Sequence, residues 1–285
     1  MTTTKTKAKA WTRVTTIANT LADRYALEQW AQRQTVLGLG AREDLYALAA
    51  SADPGDKNQL NSIIEQAQEA AKSRSGANLG TALHRLTERI DRDEQLDVPA
   101  AWRADIDAYC QRLADSSVRI NPDWIERVVV IPQLGAAGTL DRLVTVDDDL
   151  TFRVADLKTG KDAHIYVNET ALQLAMYANA SHVWKGTTDE IRRDRYGRYL
   201  LPDPADDPNA YDPMPPVDTA AALLIHLPIG EGSCTLHEID IVAGKEAVRL
   251  AVEVREWRKR RDLSWPFNPA PFRGGGNRTT AADDW

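Results

Sequence analysis

Apolar positions in the first part of the chain recur with the spacing of a helix. Ile17, Leu21 and Tyr25 step by four, and Leu27 and Ala31 resume that step on the other edge of the same broad face. This pattern predicts mostly helix from residue 15 to about 48. Asp53-Pro54-Gly55-Asp56 is a turn signal, and a polar helix follows over 59–72. Residues 73–78 read as a loop. Gly80 then opens onto a helix over 81–90, and another is predicted over 99–114. Beyond that the period changes. Trp124-Ile125-Glu126-Arg127-Val128-Val129-Val130-Ile131 is β-branched and strand-like. Residues 137–146 and 150–157 predict two further strands, joined by a hairpin turn at Asp147-Asp148-Asp149.

A helix is expected over 168–180, with Leu172, Ala175 and Met176 on one side. Residues 202–216 are a Pro- and Asp-rich loop. Two strands, 220–227 and 233–241, precede a long helix over 243–261 and an irregular Gly- and Pro-rich tail. No internal repeat stands out. Helices, a three-strand meander, a helix, two strands and a helix predict an α/β (α+β) fold, with a central mixed sheet flanked by helices. The expected organisation is a flexible basic arm over 1–12 and a single domain over 13–285. That domain divides into a helical cap (13–115), a sheet core (116–265) and a tail (266–285). Lys5, Lys7 and Lys9 make the arm either a phosphate contact or a plain solvated tail.

Composition narrows the class. A chain of 285 residues with 43% hydrophobic positions can bury a core that needs no disulfide or structural metal. The two cysteines, Cys110 and Cys234, do not suggest a secreted disulfide framework. They also exclude a four-cysteine iron–sulfur site within this chain. The opening MTTTKTKAKA lacks the apolar segment of a secretory signal, and no apolar run approaches bilayer length. A cytoplasmic protein is expected, with no membrane partner. The net charge of −7 argues against a surface coated in nucleic acid, but local basic tracks remain open.

The candidate chemistry centres on GTLDRLVTVDDDLTFRVADLKTGK, Gly138 to Lys161. Asp156 and Lys158 share one face of a strand, since strand side chains alternate. Pairing through the turn brings Asp141 near Asp156. Two close carboxylates repel unless a cation lies between them, and a hard divalent ion such as Mg²⁺ or Mn²⁺ suits oxygen ligands. Lys158 would stand beside that ion, orienting a water, deprotonating it when neutral, or stabilising charge on a phosphate. Asp141 alone also reads as a strand-end cap, and Asp156-Leu157-Lys158 as a strand leaving the core. Elsewhere, His84 has Glu88 one helical turn later, and Gln173 and Tyr177 stand at i and i+4. Taken singly, each is also an ordinary helix position.

Together, Gly-x-x-x-His from Gly80, Gly-Thr-Leu-Asp from Gly138, Asp-Leu-Lys-Thr-Gly from Asp156 and Gln-x-x-x-Tyr from Gln173 form a combination. It resembles the RecB-like branch of the PD-(D/E)XK nuclease superfamily, including CRISPR-associated and bacteriophage exonucleases. The resemblance spans about residues 80–180 and implies a restriction-endonuclease-like core. It also implies a metal-dependent DNA exonuclease in recombination, repair or phage DNA processing. Such an enzyme would work in the cytoplasm (that of the host, if phage-encoded), with a recombination or single-strand annealing protein as a candidate partner. Asp141, Asp156 and His84 would hold the metal, Lys158 would act on the attacking water, Gln173 would position it, and Tyr177 would face DNA. Glu88 and Glu126 are further carboxylates, each equally readable as a surface charge. The iron–sulfur cluster of many CRISPR-associated relatives has no cysteines to hold it here. A DNA endonuclease of the same superfamily and a non-catalytic DNA-binding module are the competing expectations.

The densest basic run is Arg255-Glu256-Trp257-Arg258-Lys259-Arg260-Arg261. It reads as a phosphate track in which Trp257 stacks on a base, or as a solvated helix end favoured by the dipole. Arg273 and Arg278 in the tail would add a clamp, and the acidic loop over 202–213 would lie away from DNA.

Overall fold

The computed structural model describes residues 8–71, 75–147, 149, 151–165 and 167–266. Strand β1 (Lys9–Arg13) runs straight into the short helix α1 (Val14–Ala18). Three helices follow: α2 (Tyr25–Ala41), α3 (Glu43–Ser51) and α4 (Lys57–Ala70). Asp56 caps α4 by accepting the Asn58 and Gln59 amides. Next come α5 (Ser75–Asp91) and α6 (Ala100–Asp115). Strands β2 (Val118–Ile131), β3 (Ala136–Val146) and β4 (Arg153–Lys158) make the meander, and α7 (Asn168–Ala178) follows. The short strands β5 (His182–Trp184), β6 (Arg192–Arg193), β7 (Tyr199–Leu201) and β8 (Tyr211–Pro213) precede β9 (Ala221–His226) and β10 (Thr235–Asp240). Asp240 caps the last helix, α8 (Ile241–Trp257), through the Val242 and Ala243 amides.

The result is a mixed sheet with helices on both faces, as the order of predicted elements implied. One path through it runs β10-β9-β4-β3-β1-β7-β6, with β2 pairing β3 and leading to β5 and β8. On one face α1, α7 and α8 bury Val14, Ile17, Leu172, Leu174 and Val248 against Leu140, Leu143 and Leu224. On the other, α5 and α6 bury Leu83, Ile106 and Tyr109 against Val144, Leu157 and Ile225. No helix among the described residues is long and apolar enough to cross a membrane.

Four expectations change. The last part of the supposed arm is a strand: Trp11 is fully buried, its indole N–H donates to the Leu201 carbonyl at 3.3 Å, and Lys9 pairs with Asp203 at 2.7 Å. Burial of an indole outweighs what basic residues suggest about disorder. Lys5 and Lys7 lie outside the described residues. Gly80 sits inside α5 rather than at its start, because one glycine costs a helix only about 1 kcal/mol. The helical pattern of 15–48 is interrupted: α1 ends at Ala18 and helix resumes only at Tyr25, so Ile17 is buried while Leu21, Tyr25 and Leu27 are exposed. Helices α2–α4 pack mainly on one another, with Gly38 against the Ala67 backbone. The loop over 202–216 contributes strand β8. Arg273 and Arg278 lie outside the described residues.

The feature that positions the site is one edge of β3. Strand β1 pairs with it in parallel at Thr12↔Ala136 and Arg13↔Ala137. Strand β4 pairs with the same strand antiparallel, from Val144↔Arg153 to Arg142↔Ala155. Between them, Gly138 to Asp141 carry no ladder partner on that edge. The next pair in the β4 register sets Asp141 opposite Asp156.

Candidate active site

Strand β3 delivers Asp141 to this split edge. Its Oδ2 accepts the Leu157 backbone N–H at 3.1 Å, so a side chain takes the place of a ladder acceptor just where β4 turns away. Asp156, one residue earlier on β4, is 2% exposed. Lys158 follows on the same face, with Nζ 2.6 Å from Asp156 Oδ2. Asp156 Oδ2 is buried, and the Lys158 ammonium is the cation that faces it. From α7, Gln173 Nε2 donates to Asp156 Oδ1 at 3.4 Å.

Helix α5 brings His84 from the other side. Its Nε2 lies 3.0 Å from Asp141 Oδ2 and its Nδ1 3.0 Å from Glu88 Oε1. Burial opposes charge on the imidazole, but these two carboxylates outweigh it and lift the pKa to about 9. The ring therefore carries both protons at neutral pH. Glu126 arrives from β2 by an irregular route. The β2–β3 register slips between Ile120 and Ile125, and Glu126 takes φ 56°. A left-handed glutamate costs about 1–2 kcal/mol, and such outliers gather at functional sites. Burial, then the charges of Asp141 and Glu88, push its carboxyl up to about 7.

The two aspartates are driven apart. Burial raises Asp141, but the His84 hydrogen bond and the charges of His84 and Lys158 prevail and hold it low. Burial and the charge on Asp141 raise Asp156. The ion pair lifts Lys158 against its own burial, yet does not pull Asp156 down, because desolvation and Asp141 outweigh the ammonium.

His84, Glu126 and Asp141 each offer a ligand atom, all within 4.8 Å of one another. With the buried carboxylate of Asp156 beside them, the set is three carboxylates and one imidazole. That chemistry fits a hard or borderline divalent cation. Two clefts meet here and share Glu126. The larger, about 610 Å³, is lined by His84, Arg85, Glu88, Lys158 and Thr159 among others. The smaller, about 230 Å³, is lined by Arg13, Gly138, Asp141, Gln173, Tyr177 and Tyr199 among others.

The structure thus brings together His84, Glu88, Glu126, Asp141, Asp156, Lys158 and Gln173. Tyr177 is almost wholly buried, with its ring packed against Gly138, and it forms part of the wall of the smaller cleft. The basic run behaves differently. None of Arg255, Trp257, Arg258, Lys259, Arg260 or Arg261 lines either cleft. Lys259 pairs with Glu256 and Arg260 with Asp262, and Trp257 is exposed. Sequence reasoning passed over Arg13 and Arg85, the arginines of the two clefts. Arg85 adjoins His84 and was within reach of the motif. Arg13 was hidden by the reading of its neighbours as a loose arm. No protein-family model matches this chain, and a search of curated proteins finds no match.

Proposed function

We propose that this chain is a divalent-metal-dependent deoxyribonuclease, with exonuclease action on DNA ends as the first reading. The observation that carries it is the meeting of Asp141, Asp156 and Lys158 with His84, from three separate elements, around buried carboxylates. His84, Glu126, Asp141 and Asp156 would hold Mg²⁺ or Mn²⁺. When bound, such an ion polarises a phosphate and acidifies a water. His84 must first release the proton on Nε2, so binding consumes a base. Lys158 stays protonated beside Asp156, which suits it to orient a water or to stabilise charge on the phosphate. Glu126, raised to about 7 by burial and the neighbouring carboxylates, would give up its proton on ligating the ion. Arg13 and Arg85 supply positive charge to the two clefts through which a strand would pass. On the same reading the protein works in the cytoplasm, that of the host if it is phage-encoded, and a single-strand annealing protein is the partner class to test.

End-labelled linear DNA and closed circular DNA, each with Mg²⁺, Mn²⁺ or chelator, provide the test. Metal-dependent loss of linear DNA alone is expected, and Lys158→Ala should cut the rate by about 10²–10⁴-fold while DNA binding persists. Nicking or cutting of circles would instead make the enzyme an endonuclease. Binding without cleavage under either metal would leave a DNA-binding module.

A further inference from the structure

The segment after β4 forms one wall of the larger cleft, to which it gives Thr159, Gly160 and Ala163. Its first residues are held to the sheet by backbone. The Lys158 and Thr159 carbonyls accept the Leu227 and Ile229 amides at 2.9 and 3.3 Å. The Gly160 carbonyl accepts Nε2–H of the buried His226 at 2.9 Å. Beyond Gly160 the printed backbone bonds are internal, Ala163 to Gly160 and Ile165 to Asp162. From there two contacts reach back to β9, β10 and the turn between them: the exposed Lys161–Glu231 pair at 3.4 Å, and a stack of three imidazoles. The exposed His164 lies 4.5 Å from His226 of β9 and 5.4 Å from His237 of β10, centroid to centroid. Its ring is within 21° of parallel to His237, and His226 and His237 are 6.2 Å apart.

Neutral imidazoles stack, whereas imidazolium ions at this spacing repel one another. The surroundings do little to offset that repulsion. Lys158 stands opposite His226 in the β4–β9 register and adds positive charge. Glu231 is engaged by Lys161, and Glu238, next to His237, is turned to Arg153. Asp162 is the one acid of the segment between Lys161 and His164. We propose that His164, His226 and His237 are a pH-sensitive latch on the wall of the larger cleft. Neutral, they hold the segment after β4 against β9 and β10; protonated, they release it and widen the cleft. Burial and the two neighbouring imidazoles hold His237 below the usual 6.5, with no carboxylate to offset them. The stack therefore stabilises the closed wall above pH 6.5, and that contribution is lost as pH falls through the lowered pKa. The latch does not depend on the nuclease reading.

Hydrogen–deuterium exchange of the full-length chain at about pH 7.5 and about pH 5, on either side of the histidine range, tests it. Rates are corrected for the intrinsic dependence of amide exchange on pH, and the peptide spanning residues 161–165 is the readout. His164→Phe keeps a ring that cannot be charged, and His164→Ala removes the ring. The position is exposed, so both variants should keep the fold by circular dichroism. In the parent, acid should lower protection of that peptide roughly tenfold, the scale set by unit charges a few ångströms apart in water. His164→Phe should stay protected at both pH values, and His164→Ala should be poorly protected at both. Protection that acid leaves unchanged in the parent would overturn the latch, as would an equal acid loss in His164→Phe. So would a His164→Ala variant as well protected as the parent at the higher pH.

Discussion

Glu126, Asp156 and His84 each hold a proton more tightly in the fold than in an unfolded chain, and the consequences for stability share one sign. The Glu126 carboxyl rises from 4.5 to about 7, so folding loses stability as pH climbs through that interval. Asp156 is also raised above 3.8 and acts in the same direction at the lower end. The imidazole of His84 rises from 6.5 to about 9. Its contribution is complete below 6.5 and disappears as pH passes 9. Asp141 is lowered, so it stabilises above 3.8 and loses that effect only in stronger acid. In chelator, the melting temperature should therefore fall steadily from about pH 4.5 to pH 9. Mg²⁺ should raise it most at the alkaline end, where the ligands have shed their protons. Thermal melts across that range check this, and a flat profile in chelator would contradict the assigned contacts. The His84–Glu88 pair was legible from its i,i+4 spacing. The left-handed backbone of Glu126 was not, because it follows from a register slip between two strands.

Helix α5 does two jobs with neighbouring turns. One side presents His84 and Glu88 to Asp141. Thr87 and Asp91 grip Arg142, the residue next to Asp141 on β3. Arg142 is fully buried. Its Nε donates to Asp91 Oδ2 at 2.7 Å, and its Nη2 donates to Thr87 Oγ1 at 2.7 Å. The Tyr109 hydroxyl of α6 donates to Asp91 at 2.8 Å. This buried pair sets how α5 approaches β3, and so sets the 3.0 Å contact between His84 and Asp141. Removing one partner strands the other: Asp91→Ala should cost about 3–5 kcal/mol, measured by urea denaturation. A much smaller loss would mean that the guanidinium finds water or another acceptor. Asp91 and Arg142 stand 51 residues apart, and nothing in the local pattern links them. The helices and the main strands were readable from their periods, whereas this clamp depends on which elements meet.

The architecture as a whole depends on β1 more than its short length suggests. Trp11 packs with Val128, Val130, Tyr199 and Leu201, and β1 supplies one lip of the split edge that holds Asp141. Trp11→Ala should cost about 3–5 kcal/mol and lower the melting temperature. A loss well under about 1 kcal/mol would return β1 to the status of a loose arm. The residues that alternate or step along one element, Asp156 with Lys158 and His84 with Glu88, were legible because their geometry is local and repeats with the backbone. The hairpin through Asp147 likewise brought Asp141 toward Asp156 from adjacent strands alone. Long-range pairing decided the rest. It seated β1 against β3 across more than a hundred residues, left Gly138–Asp141 without a ladder partner, turned Glu126 inward and gathered three histidines. Strands of two to five residues carry too little pattern to name their partners, and only burial of side chains such as Trp11 selects among the pairings.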